Sequence, residues 1–222
     1  MYALDTKAAQ KADQTGNRIT EIGKYVGTFT QVEDITAATG TKGLALRFEA
    51  NGQSANLSLY TKKADGETIM GFQVLMAIMT CLQLRNIEPK DGTVKYWDRD
   101  TNSEETKAAK VYPDLCGKPI GLLLETEGYN KTDGTVGTKM VIAGVFQAKT
   151  ELTATEILER KTVPEMLPKM VARLHHRPVK ASKPASGRPA AQSGHSGSGF
   201  EDMDDDIPFR DPLSYRGAHL VL

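Results

Sequence analysis

The dipeptide Asn51-Gly52 sits between two runs, GLALRFEA (43–50) and QSANLSLY (53–60), in which apolar and polar residues alternate. Asn-Gly suits the two central positions of a tight hairpin turn, where both residues take positive φ, so the pair predicts two antiparallel strands joined by two residues. Turn length fixes register: Ala50 faces Gln53, Phe48 faces Ala55, Leu46 faces Leu57 and Leu44 faces Leu59, all on one side. The opposite side carries Arg47 across from Asn56, Ala45 across from Ser58 and Gly43 across from Tyr60. The hairpin therefore has a core side and a wet side, and the wet side presents a guanidinium, an amide, a hydroxyl and an aromatic ring.

Periodicity supplies the other elements. Residues 23–34 (GKYVGTFTQVED) alternate and are rich in Val, Thr, Tyr and Phe, which predicts a first strand. Tyr25 and Phe29 share one of its faces, and the pattern leaves open whether that face is inward. Residues 69–84 (IMGFQVLMAIMTCLQL) place Phe72, Leu75, Met79 and Leu82 at helical spacing, with further apolar residues around most of the circumference. This predicts a largely buried helix, with its methionines as gap fillers. Residues 88–119 read as an irregular polar stretch containing Val94-Lys95-Tyr96-Trp97. Two strand-like runs follow, 120–127 and 136–149, joined by the loop GYNKTDGT. Thr153-Ala154-Thr155-Glu156 has the form of a capping box and opens a segment, 153–177, expected to hold one or two short helices broken at Pro164 and Pro168.

Three strands, a helix and two strands predict a mainly β fold. The order matches the five-stranded OB barrel (β-β-β-α-β-β), here with an insert before the fourth strand, short C-terminal helices and a disordered tail.

Several function classes are disfavoured. With 28 basic and 28 acidic residues among 222, bulk charge does not drive this chain onto polyanions. Its two cysteines, Cys81 and Cys116, supply neither a structural metal site nor a disulfide framework, and read as a buried apolar residue and a turn residue. No run approaches the roughly 18 apolar residues of a membrane span, and the N-terminus lacks a secretory pattern, so a cytoplasmic protein without membrane contact is expected. Catalysis is not expected. The four histidines, His175, His176, His195 and His219, lie at the linker edge or beyond, which leaves no base for a Ser or Cys nucleophile, and no phosphate-binding Gly-Lys-Ser/Thr loop occurs. The acidic residues Asp98, Asp100, Glu104 and Glu105 read as a charged loop rather than a metal site. No cofactor is called for.

Charge is nonetheless unevenly distributed. From Pro178 the composition shifts to PVKASKPASGRPAAQSGHSGSG, a flexible linker. Then come Glu201, Asp202, Asp204, Asp205 and Asp206, five carboxylates closed by Ile207-Pro208-Phe209. A solubilising tail has no use for this apolar hook, whereas a partner-binding peptide does: Pro208 reduces the entropy lost on docking and Phe209 offers a ring to a pocket. Three regions result, a folded part (1–177), a linker (178–199) and a terminal segment (200–222).

The run Gly197 to Phe209, with Asp204-Asp205-Asp206-Ile207-Pro208-Phe209 at its end, resembles the C-terminal tip of bacterial single-stranded DNA-binding proteins. That family reaches the tip through a Gly/Pro/Ser/Gln-rich linker and uses it to recruit replication and repair enzymes. The resemblance covers about a tenth of the chain. In that family the Phe is the last residue, whereas here thirteen residues follow Phe209, so a partner cannot grip a terminal carboxylate there. The insert and this extension resemble the divergent proteins of the kind encoded by bacteriophages or prophages, which would act in the cytoplasm of the bacterial host.

The resemblance implies binding and protection of single-stranded DNA during replication, recombination and repair. In an OB barrel, bases would lie on the wet side of the second and third strands. The candidate residues are Tyr60 for stacking, Arg47 for phosphate or a base plane, Asn56 and Ser58 beside them, and Lys62 and Lys63 extending the basic track. Lys42 would edge the groove near the first loop, and Lys131 and Lys139 near the last. Trp97, the only tryptophan, beside Tyr96, Lys95 and Arg99, reads either as a base contact or as a core anchor. Tyr60 would equally serve as an ordinary sheet residue. Two rival readings remain: an interaction protein that mimics the tip without binding DNA, favoured by the near-neutral folded part, and a strand-annealing recombination protein. A homo-oligomer would add avidity to a nearly neutral surface.

Overall fold

The first strand is long because it serves three partners. The structure, a computed structural model, describes residues 18–98, 101, 103–131 and 134–179. Within β1 (Gly23–Thr36), residues 23–28 pair with β6 (Pro119–Asn130), and residues 28–36 pair with β2 (Lys42–Ala50). A bulge interrupts the β2 ladder: Phe29 faces Phe48 and Gln31 faces Arg47, leaving Thr30 as the extra residue. Bulges bend a strand and increase its twist, which turns the β2 side away from the β6 side. Gly27 sits at the crossover, where a Cβ would overlap the Glu49 carbonyl oxygen.

The tight turn behaves as the sequence requires, with Asn51 at φ 52° and Gly52 at φ 75°. Between β2 and β3 (Gln53–Lys62) every expected pair from Ala50↔Gln53 to Gly43↔Tyr60 is present. Leu44, Leu46, Phe48, Ala55, Leu57 and Leu59 are all buried. Phe29 points inward with them, its ring edge-on to Phe48 at 5.8 Å between centroids, while Tyr25 is half-buried against the same core. Each such side chain removed from water contributes about 1.5–3 kcal/mol.

Helix α1 (Met70–Cys81) buries Leu75, Ile78, Met79 and Cys81, and burial pushes the Cys81 thiol up to about 12. The helix packs against β3 and β7 (Val136–Gln147). At Gly71 its backbone comes so close to the Tyr60 carbonyl that a Cβ would not fit. The ladder order is β3-β2-β1-β5-β4, with β6 joining β1 to β7. No ladder joins β3 to β7 among the described residues, so the sheet is not closed by hydrogen bonds; α1 lies against both strands.

The expectation of an irregular insert is corrected. Residues 88–119 contain a hairpin, β4 (Lys90–Asp98) and β5 (Ser103–Val111), paired from Lys90↔Val111 to Asp98↔Ser103, followed by a short 3-10 turn at Pro113–Leu115. The sheet thus has seven strands among the described residues, not five. Among the described residues of this hairpin only Val94 is buried, so neither strand has the apolar alternation that identifies a half-buried strand.

After β7 come α2 (Ala154–Leu158) and α3 (Met166–Val171). Pro164 lies between them as expected, but Pro168 falls in the first turn of α3, where its missing N–H costs no helical hydrogen bond. Glu156, fully buried, organises this corner: its carboxylate accepts from the Thr153 N–H (2.8 Å) and hydroxyl (2.9 Å) and from the N–H groups of Glu165 (2.7 Å) and Met166 (2.8 Å). The last described residues are not helical. Arg177 bridges to Glu127 in parallel, exchanging backbone hydrogen bonds with Thr126 and Gly128, and its Nε donates to the buried Glu125 carboxylate at 2.6 Å. His176 Nδ1 meets the Thr126 hydroxyl at 2.8 Å. No helix among the described residues is long and apolar enough to cross a membrane.

Burial alone would raise the Glu156 pKa, but the four donors around it outweigh burial and hold the carboxyl at about 2. A lowered folded-state pKa contributes stability that is complete above the unfolded value near 4.5 and is lost as pH falls through about 2. Urea titrations of wild type and Glu156→Gln should therefore show the variant less stable at pH 7, with the gap narrowing between about pH 4.5 and about 2. A gap independent of pH would contradict this role for the charge.

Candidate nucleic-acid interface

The wet side of the β2–β3 hairpin is where the turn register places it. Asn56, Ser58 and Tyr60 occupy successive same-face positions of β3 and are exposed, with Arg47 half-buried across from Asn56. Gln31 and Glu33 of β1 lie across from Arg47 and Ala45, which puts them on the same face.

The β4–β5 hairpin is fastened onto this face by polar groups. The Gln31 side-chain amide accepts from the Lys95 N–H at 2.9 Å and donates to the Lys95 carbonyl at 3.2 Å, acting as a strand partner for one residue of β4. Lys107 meets Glu33 at 2.6 Å, and the Arg47 guanidinium meets Glu104 at 3.4 Å. Glu104 also faces the Lys95 ammonium at 3.5 Å, and Arg47 reaches Glu49 at 3.7 Å.

The contacts come from both faces of the hairpin: Lys107, across from the buried Val94, lies on one, and Glu104 on the other. Trp97 is directly opposite Glu104, and side chains opposite one another in an antiparallel pair share a face. Trp97, Lys95 and Glu104 thus share one face of the hairpin, and Glu104 on that face meets Arg47. Trp97 is 61% exposed, which removes the core-anchor reading and leaves its indole available to a ligand. Tyr96 lies on the other face, where its hydroxyl donates to Glu105 at 3.1 Å; that hydrogen bond, with the nearby carboxylate charges, raises the phenol pKa.

The remaining expected residues are placed less favourably. Lys62 stands beside the Phe72 ring, 6.0 Å from its centroid, and Lys63 pairs with Glu67 at 2.7 Å. Lys139 pairs with Glu127 at 2.9 Å on the β6–β7 hairpin, and Lys131 lies at the turn of that hairpin. No hydrogen bond or ion pair among the described residues brings Lys131 or Lys139 to Arg47 or Tyr60. Of the acidic residues 98, 104 and 105, the last two point to opposite faces of β5, and no group of three metal-ligating side chains occurs among the described residues. Asp100, Arg99, the linker from residue 180 and the tip residues Asp204, Asp205, Asp206, Ile207, Pro208 and Phe209 lie outside the described residues.

Sequence reasoning missed Gln31, Glu33 and Lys107, and gave Glu104 only as a loop residue. The contacts they make span elements far apart in the chain, and no local pattern encodes them. Charge on the whole is balanced: residues 1–177 carry 23 basic and 22 acidic side chains. In comparisons with known proteins, the chain matches no protein-family model and no curated protein.

Replacing Gln31 with Ala removes both hydrogen bonds to Lys95. The amides of residues 90–98 should then exchange faster with solvent, while global stability falls by under about 2 kcal/mol, since a net hydrogen bond contributes about 1. Hydrogen-exchange mass spectrometry checks this, and unchanged protection of β4 would show that Gln31 does not hold the hairpin.

Proposed function

We propose that this protein binds and protects single-stranded DNA on the face formed by β2, β3 and the β4–β5 hairpin, and recruits replication or repair enzymes through Asp204–Phe209. The observation that carries the reading is that Tyr60, Ser58, Asn56 and Arg47 share the wet face of the β2–β3 hairpin while Arg47 meets Glu104, the cross-strand partner of the exposed Trp97. Unpaired bases offer flat faces to the rings of Tyr60 and Trp97, and stacking tolerates any sequence. A folded part with balanced charge gains little from phosphate attraction, so stacking supplies the larger share of affinity in this account. In this reading β1, β2, β3, β6 and β7, with α1 packed against β3 and β7, form an OB-type body, and the β4–β5 hairpin is an added arm beside its binding face. The protein is a non-catalytic binder, and its tip is reached through the Pro/Gly/Ser-rich residues 178–199.

One observation favours the rival reading of a tip-mimicking interaction protein. Arg47, Lys63, Lys95, Lys107 and Lys139 all stand within ion-pair distance of a carboxylate of the same chain.

Fluorescence anisotropy of labelled oligothymidine and of a matched duplex, titrated with the full chain over a salt series, separates the two. The DNA reading expects preference for the single strand, a negative salt slope, and affinity weakened about fivefold to a hundredfold by Trp97→Ala, from about 1–3 kcal/mol per stacked base. No binding at low salt favours the interaction protein, and the tip peptide then becomes the bait for its partner.

A further inference from the structure

Glu104 does more than fasten the hairpin. Its carboxylate lies between two cations from separate elements, Arg47 of β2 at 3.4 Å and Lys95 of β4 at 3.5 Å, directly across from the exposed Trp97. An anionic oxygen group held by a guanidinium and an ammonium beside an open aromatic ring is the arrangement a nucleotide would adopt there: phosphate on the cations, base on the indole. Both ion pairs are long and solvent-exposed, with the Glu104, Arg47 and Lys95 side chains 43%, 37% and 65% accessible. Such pairs are weak, so an incoming phosphate can replace the carboxylate at little cost.

We infer that Glu104 is a built-in competitor for phosphate: it occupies Arg47 and Lys95 in the free protein, yields them to a nucleic-acid phosphate, and so limits affinity. This rests on the proposed DNA-binding reading and deepens it by naming the residue that sets its strength. It also accounts for a binding face whose cations are already paired: the pairs hold the side chains in position and keep binding weak enough for strands to be released. Hairpin attachment does not depend on Glu104 alone, because Gln31 and the Lys107–Glu33 pair remain.

The test compares wild type with Glu104→Gln and, as control, Glu105→Gln on the opposite face of β5, by anisotropy with oligothymidine between low and moderate salt. Glu104→Gln should bind about two- to fivefold more tightly at low salt, the range expected from releasing an exposed ion pair. Its salt slope should steepen by about 0.7 for each further phosphate that Arg47 or Lys95 neutralises. Glu105→Gln should match wild type. If Glu104→Gln binds equally or more weakly with an unchanged slope while wild type binds well, Glu104 is a fastener only and the inference falls. If neither protein binds the oligonucleotide, the DNA-binding reading falls and takes this inference with it. Hydrogen exchange of residues 90–98 in Glu104→Gln guards against a third cause, since a loosened hairpin accompanied by weaker binding counts against the inference as well.

Discussion

Everything that positions the wet face depends on the bulge in β1 between Phe29 and Gln31. An antiparallel strand has two edges, and a straight β1 would offer both along its whole length. The extra residue, Thr30, shifts the β2 ladder by one position, while along its other edge β1 pairs with β6 through residues 23–28 and with β5 at Glu33. On one side of the bulge Phe29 drops into the core against Phe48; on the other, Gln31 stands on the wet face and takes the backbone of Lys95. A single irregularity thus decides which β1 side chains face the core and which stand on the wet face where the β4–β5 arm docks.

The arm differs in kind from the body beneath it. The body is held by buried Leu, Phe and Ile side chains, whereas the arm contributes one buried residue, Val94, and is otherwise attached by hydrogen bonds and exposed ion pairs. Attachments of this type are individually worth little and are exchanged readily for contacts of similar chemistry. A nucleic-acid strand brings that chemistry, with phosphate for the cations and base faces for Trp97 and Tyr60. The same polarity that makes the arm weakly fixed therefore suits it to a ligand-binding surface. Corners that must stay closed are built differently: Glu156 has four donors on a buried carboxylate, and Arg177 closes on the buried Glu125 near the last described residues.

What could be read from sequence followed from locality. The Asn51-Gly52 turn set the register of both its strands because it acts through neighbours, and the helix at 70–81 and the Thr153–Glu156 box were legible for the same reason. The β4–β5 hairpin was not, because a single buried side chain, Val94, gives no apolar period to detect and its Lys and Glu residues read as loop. Trp97 could not be assigned to core or surface until its exposure was known. The pairing of Arg47 with Glu104, 57 positions away, has no sequence signal at all. Lys131 and Lys139 were grouped with the site by analogy with barrel loops, and among the described residues no hydrogen bond or ion pair ties them to it.

Photocross-linking an oligothymidine to the full chain, followed by peptide mapping, addresses the central claim most directly, because it reports which surface the strand touches. Adducts on the peptides that contain Tyr60 and Trp97 are the predicted result. Adducts confined to other surfaces, such as the β6–β7 turn around Tyr129 or the α2–α3 corner, would show that the strand binds elsewhere and that the wet face is not the site.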